Sequence, residues 1–330
     1  MNLHKFPRRR YIAGPTPIEK LERLSGLLGL NIYVKRDDLL GGLLGGGNKI
    51  RKLEYLMGDA LSKGADTIIT CGAPQSNHCR LTMAAAAKEG LDCQLVIEER
   101  VPGSYSQKAS GNNLLFHLIS DEKPHVVPGG SDIPGEMKQL AAKLEAQGRK
   151  PYVIPGGGSN DIGTLGYMSG ALEILGQLNE MRLGIDMMVC TSGSGGTQIG
   201  LLLGLMTMQS GIPLTGIAIS RKKDLQRDVL YKLCQQTADF LGLKCPAPED
   251  IVVEDDYIGP GYSLPTEGMK EAVKLLARTE ALLLDPVYTG KTMAGILDLA
   301  SKNYFGSAKN ILFLHTGGSP ALYQCSGEFL

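Results

Sequence analysis

Gly45-Gly46-Gly47-Asn48-Lys49-Ile50-Arg51-Lys52 sets a lysine after a glycine run and an asparagine, with further cations two and three residues on. Glycines let a backbone turn sharply and approach a ligand closely. Ile50, Leu53, Leu56 and Met57 recur at helical spacing, which predicts a helix over 50–63 and sets Lys49 at its mouth. Lys52 lies one turn further on the same face. A lysine at a helix N-terminus can hold a phosphate or, once desolvated, act as a reactive amine. A phosphate loop of the GxxxxGK[ST] kind is excluded, because Ile50 follows Lys49. Taken alone, so basic a loop reads as solvated side chains; its companions along the chain single out Lys49.

Thr191-Ser192-Gly193-Ser194-Gly195-Gly196-Thr197-Gln198 follows a predicted strand and precedes an apolar helix. From Thr191 to Thr197 each side chain is absent or a hydroxyl, so Ser194, Gly195, Gly196 and Thr197 form a candidate phosphate cradle. The GxGxxG dinucleotide spacing is missing, and Ser220 and Arg221 stand where a ribose-binding acid would be expected. Ser76-Asn77-His78 opens another helix. Ser and Asn are ordinary helix caps, but the same free N–H groups can hold a carboxylate, with His78 as a supporting donor or a base. Tyr262 and Tyr288 each sit among turn residues and could present phenols to a site. A reactive lysine, a separate phosphate cradle, a carboxylate site and no metal-ligand spacing point to pyridoxal 5′-phosphate as cofactor.

These residues must be positioned by an ordinary globular chain of 330 residues, 43% hydrophobic and 21% charged. Lys+Arg and Asp+Glu both number 34, so no basic footprint for nucleic acid is present. No apolar run reaches membrane-spanning length, and residues 1–10 lack the apolar stretch of a secretory signal. Seven cysteines without a CxxC pair read as free thiols in a reducing cytoplasm. Thr16-Pro17-Ile18-Glu19 resembles a capping box and predicts a short helix through Leu28. After a strand at 31–35, strands and helices alternate: strands at 67–71, 93–98, 125–127, 152–154, 186–190, 214–220, 251–254 and 310–315, with helices between them. The alternation predicts an α/β fold with parallel sheets and right-handed crossovers. Ligands of such sheets bind beyond the carboxyl ends of the strands, where these loops lie.

KRDD at 35–38, GGNKIRKLEY at 46–55, QSNH at 75–78, IPGGGSN and GYM within 154–168, GPGYSLP at 259–265, DPVYTGK at 285–291 and HTGG at 315–318 resemble the D-cysteine desulfhydrase and 1-aminocyclopropane-1-carboxylate (ACC) deaminase family. That family is a branch of the tryptophan-synthase-β-like, fold-type II pyridoxal enzymes, and the similarity runs from about Leu3 to Leu322. The resemblance implies two α/β domains, each a mostly parallel twisted sheet flanked by helices, with the active site in the cleft between them. The small domain would span 52–163 and the large one 1–51 plus 164–330. Lys49 would carry the cofactor and Lys52 would help hold its phosphate. Asn77 would sit beside the 3′-oxygen, and Ser76 to His78 would bind the substrate carboxylate. Tyr262 and Tyr288 would be the paired active-site tyrosines, and the protein would be a homodimer. ACC deaminases carry Glu and Leu where this chain has Thr289 and Thr316, and desulfhydrases carry hydroxyls there. Thr316 is therefore expected at the ring nitrogen, with Thr289 its neighbour. The implied reaction is α,β-elimination of D-cysteine. L-cysteate or another β-substituted alanine is the alternative, and ACC deamination or non-catalytic pyridoxal binding follows behind. Arg80 could favour a sulfonate substituent or be a surface cation.

Overall fold

The computed structural model describes residues 2–106 and 108–330; Met1, the first residue of the larger expected domain, lies outside them. Among the described residues, ten strands form two sheets and eleven α-helices accompany them. The chain opens with β1 (Ile18–Lys20), α1 (Glu22–Leu28), β2 (Asn31–Lys35) and α2 (Lys49–Ser62). It continues through β3 (Thr67–Gly72), α3 (Asn77–Lys88), β4 (Asp92–Glu99), α4 (Asn112–Ile119), β5 (His125–Pro128), α5 (Ile133–Glu145) and β6 (Pro151–Ile154). Next come α6 (Asp161–Met181), β7 (Met187–Ser192), α7 (Gly196–Thr207), β8 (Leu214–Ala218), α8 (Lys223–Leu241) and β9 (Val252–Glu254). The last elements are α9 (Glu267–Glu280), α10 (Thr289–Ser301), β10 (Asn310–Leu314) and α11 (Ser319–Gln324).

One sheet runs β1-β2-β10-β7-β8-β9, parallel throughout except for the β1–β2 pair. The other runs β5-β4-β3-β6, wholly parallel, and draws its strands only from residues 67–154. The larger sheet is apolar on both faces, as a parallel sheet covered by helices must be. On β10, Ile311 and Phe313 join Val34 and Val189 against α1, α9 and α10. Their neighbours Leu312 and Leu314 point the other way, into the core of α6, α7 and α8. Ile50, Leu53, Leu56 and Met57 of α2 enter a third core with β3 and α3, as their spacing predicts.

The Thr16–Glu19 segment departs from its sequence reading. Ile18–Lys20 forms strand β1, antiparallel to β2, and α1 starts after Leu21 without a side-chain cap. Thr16 spends its hydroxyl on Asp37 Oδ1 at 2.8 Å, inside a buried network with Arg51, Glu173 and Lys35. Strand pairing and that network outweigh the local capping preference. Other boundaries move by a residue or two, which matters at three places. Lys49, Asn77 and Thr289 are the first residues of α2, α3 and α10.

Candidate active site

The carboxyl ends of β3, β7 and β10 open onto one cavity of about 210 Å³. Its lining includes Lys49, Ser76, Asn77, His78, Ser194, Gly195, Thr197, Tyr262, Tyr288 and Thr316. Ten of the sequence-selected residues thus meet in one place, contributed by both sheets. Lys52, Gly196 and Thr289 are absent from the lining.

Lys49 is half-buried at the N-terminus of α2, and among the described residues its ammonium donates only to Asn48 Oδ1, at 3.1 Å. Burial, reinforced by Arg80, lowers its pKa to about 8, while Asp285 opposes the shift. An amine so poised is neutral for about a tenth of the time at pH 7, far more than an ordinary lysine, and that fraction is nucleophilic and basic. In cofactor-free protein, the rate of covalent attachment of pyridoxal phosphate should rise with pH and level off above about 8, since only the neutral amine attacks. Stopped-flow absorbance from pH 6 to 10 measures this; a flat profile would contradict it.

Arg80 plays a different part from either of its sequence readings. It is neither a surface cation nor a cavity-lining sulfonate ligand. It is fully buried, and among the described residues it has no carboxylate partner. Its guanidinium donates to Gly46 O at 2.7 Å, Asn112 Oδ1 at 2.7 Å and Asn77 Oδ1 at 3.3 Å. Asn112 Nδ2 also donates to Asn77 Oδ1, at 2.9 Å. With its oxygen taken twice, Asn77 keeps its amide N–H groups for a ligand oxygen.

Ser76 caps α3, accepting from Cys79 N at 3.1 Å, and its own proton remains free to donate. The first N–H groups of α3 have no intrahelical partner, so Asn77 N and His78 N suit a carboxylate. The His78 ring is committed elsewhere. Thr70 Oγ1 donates to Ile154 O, so His78 Nε2 donates to Thr70 Oγ1 at 2.8 Å. Burial and the ammonium groups of Lys49 and Lys52 push the His78 pKa well down. The ring is neutral and held in place, and what this position offers a substrate is its backbone.

The anion cradle is assembled across the two sheets by Ser159, which sequence reading left unassigned. Its hydroxyl accepts from Lys52 Nζ at 3.1 Å and Gly196 N at 3.0 Å, and donates to Ser194 Oγ at 2.8 Å. Lys52 therefore stands behind the loop, bonded also to Gly157 O at 3.0 Å. Among the described residues it forms no ion pair, and burial pushes its pKa well down. A Cβ on Gly196 would come within 2.8 Å of both Lys52 Nζ and Ser159 Oγ. A Cβ on Gly157 would clash with Ser194 Oγ. Asn48 Nδ2 donates to Thr197 Oγ1 at 3.2 Å and so links the cradle to the lysine. These donors fit a phosphate, and Lys49 fits a carbonyl-bearing cofactor beside it. Gly196→Ala should weaken retention of pyridoxal phosphate about tenfold or more, equivalent to ~1.4 kcal/mol. Equilibrium dialysis checks it; wild-type retention would show that Ser159 and Lys52 shift freely.

Tyr262 and Tyr288 meet with their phenol oxygens 2.5 Å apart and rings edge to face. Burial raises the pKa of both, so they remain protonated donors at neutral pH. Arg100 covers the Tyr262 ring at 4.7 Å and lines the cavity together with Arg221. Thr316 lines the cavity, its carbonyl accepting from Asn48 N at 3.1 Å. Thr289 differs from expectation. Its hydroxyl donates to Asp285 Oδ1 at 2.7 Å and accepts from Asp285 N at 2.8 Å, so it is turned into the start of α10. Asp285 gives the Tyr288 backbone its anchor and had no role in the sequence reading.

A reactive amine, an anion cradle and a carboxylate-binding helix start, all in one cleft between parallel sheets, define an enzyme that works through a phosphate-bearing carbonyl cofactor. The family described as pyridoxal-phosphate dependent enzyme matches residues 10–317, and the chain belongs to it. The chain is 46% identical over 324 residues to the D-cysteine desulfhydrase of Salmonella typhimurium, covering 98% of this chain and 97% of the relative. The D-cysteine desulfhydrase of Salmonella typhi gives the same identity and coverage. A solved structure described as an ACC deaminase homologue superimposes with a TM-score of 0.89 at 39% identity, over 99% of this chain and 98% of that one. An O-ureido-L-serine synthase, at 20% identity and a TM-score of 0.68, shares the fold, over 94% of this chain and 92% of its own.

Proposed function

We propose that the protein catalyses α,β-elimination of D-cysteine, giving pyruvate, hydrogen sulfide and ammonia with uptake of one water. The observation that carries this reading is the place of Lys49, an amine with one hydrogen-bond partner between the Ser194–Thr197 cradle and the Ser76–His78 helix start. The full-length similarity to D-cysteine desulfhydrases supports the substrate. Pyridoxal phosphate, when bound, supplies an electron sink for the bond broken at Cα. Ser194, Gly195, Gly196, Thr197 and Lys52 would hold its phosphate, Asn77 its 3′-oxygen and Thr316 its ring nitrogen. A neutral hydroxyl at the ring nitrogen would leave that nitrogen less protonated, and the ring a weaker electron sink, than a carboxylate would. That is enough for a good leaving group such as hydrosulfide, and less suited to opening a cyclopropane.

The chain's own residues then divide the work. The N–H groups of Asn77 and His78 and the Ser76 hydroxyl bind the substrate carboxylate. Lys49 removes the proton from Cα. Tyr262 and Tyr288, both protonated, orient the β-substituent. Hydrosulfide leaves as a stable anion and needs no strong acid. Thr289 acts on Tyr288 through Asp285 rather than on the cofactor. Residues 52–163 would form the small domain and 1–51 plus 164–330 the large one. We place the protein in the cytoplasm as a homodimer; sedimentation of purified protein checks the assembly.

Arg100 and Arg221 in the lining favour a second reading, in which the β-substituent is anionic, as in L-cysteate. One assay separates the readings: D-cysteine, L-cysteine, L-cysteate and ACC are offered to cofactor-loaded protein, and sulfide, sulfite and 2-oxo acid are followed. Sulfide with pyruvate from D-cysteine is the expected result. Sulfite as the main product would move the substrate to a sulfonate, and a 2-oxo acid from ACC alone would overturn elimination.

A further inference from the structure

Lys291 closes the DPVYTGK segment, and no step above uses it. It lies in the first turn of α10 and is fully buried. Its ammonium donates to Ile258 O at 2.6 Å and Gly261 O at 3.0 Å. Among the described residues, no carboxylate forms an ion pair with it. A buried ammonium satisfied by backbone carbonyls alone is costly, and burial lowers its pKa to about 8. Its partners are informative. Both carbonyls belong to the irregular segment 257–265, which carries Tyr262. This segment has no regular ladder to hold it, and it is strained: Ser263, not a glycine, sits at φ 63°. Helix α10 begins directly after Tyr288. Lys291 thus ties the loop of one phenol to the helix that follows the other, and the two phenols meet at 2.5 Å.

We propose that Lys291 is a positioning residue whose ammonium serves as an internal cation, gathering Ile258 O and Gly261 O so that the loop delivers Tyr262 onto Tyr288. The tyrosine pair, and with it the wall facing the β-substituent, exists only while that cation is in place. The proposal rests on the elimination reading for its kinetic consequence and not for its structural one.

The test uses full-length Lys291→Met, which removes the charge and keeps the bulk. Hydrogen exchange of amides 257–264 should quicken about tenfold or more, with the β7 and β10 amides unchanged. This readout needs no substrate, so it stands even if D-cysteine is not turned over. In the elimination assay KM should rise more than kcat falls. Tyr262→Phe and Lys291→Met should combine less than additively, because the lysine acts through the tyrosine. Lys291→Ala should regain loop protection in methylammonium but not in tetramethylammonium, which is too large for two carbonyl contacts. Where Lys291→Met does not fold, Lys291→Gln carries the same measurement. Loop exchange equal to wild type would overturn the proposal. So would exchange raised equally throughout the core, or strict additivity with Tyr262→Phe.

Discussion

Lys49→Ala should lower kcat/KM for elimination by about 10³-fold or more, the scale set by removing a positioned base that also anchors the cofactor. Its visible absorbance band from covalently held cofactor should vanish, and added primary amines should restore only part of the turnover. The fold should survive. The Lys49 ammonium makes one hydrogen bond, to Asn48 Oδ1 at 3.1 Å, and no ion pair among the described residues. Its removal therefore strands no buried charge. It also relieves the desolvation that keeps its pKa near 8. Asn48 retains its bond to Thr197, so the cradle should still bind free pyridoxal phosphate. A variant that kept both turnover and the band would sink the assignment of Lys49. One that lost cofactor affinity altogether would show that the cradle contributes little without the covalent link.

The legibility of these residues in the sequence follows from what each of them needs. The Thr191–Thr197 loop and Ser76 depend on neighbours within a few positions, so local spacing makes them candidates, and Lys49 stands out once those loops are read together with it. The parallel sheets were readable for a similar reason: strands such as Thr67–Gly72 are apolar on both faces and alternate with helices. Arg80, Ser159 and Asp285 depend on contacts made through space. Ser159 joins Lys52, 107 positions away, to a loop 35 positions ahead of it. Nothing local distinguishes it from any other serine after a glycine run. In sequence Arg80 reads as a sulfonate ligand or a surface cation, and its true partners, Gly46 O and Asn112 Oδ1, come from distant segments. The resemblance sets Thr289 beside the cofactor ring, because ACC deaminases carry Glu at that position. The turn into α10 sends it to Asp285 instead. Thr16–Glu19 failed in the same way, since a capping pattern cannot report that a strand partner at Tyr33–Lys35 awaits those residues.

Asp285→Ala should destabilise the protein by about 3–5 kcal/mol, a large share of a typical total of about 5–15 kcal/mol. The Asp285 carboxylate is fully buried at the start of α10. One oxygen accepts from Val287 N and Tyr288 N, each at 2.9 Å, and the other from Thr289 N at 2.8 Å and Thr289 Oγ1 at 2.7 Å. A methyl group replaces none of these bonds, and each stranded donor costs about 1–3 kcal/mol if the helix start does not rearrange. Rearrangement would move Tyr288, so activity should fall together with stability. Thr289→Val separates the two roles proposed for that threonine. If it serves Asp285, stability falls by about 1 kcal/mol, the scale of one hydrogen bond, and the bound cofactor keeps its absorbance maximum and its pH response. If instead it partners the cofactor ring, the spectrum shifts while the melting temperature holds. Paired thermal melts and absorbance spectra of the two variants decide this. A stable Asp285→Ala variant with wild-type turnover would show that the four hydrogen bonds do not hold Tyr288 in place.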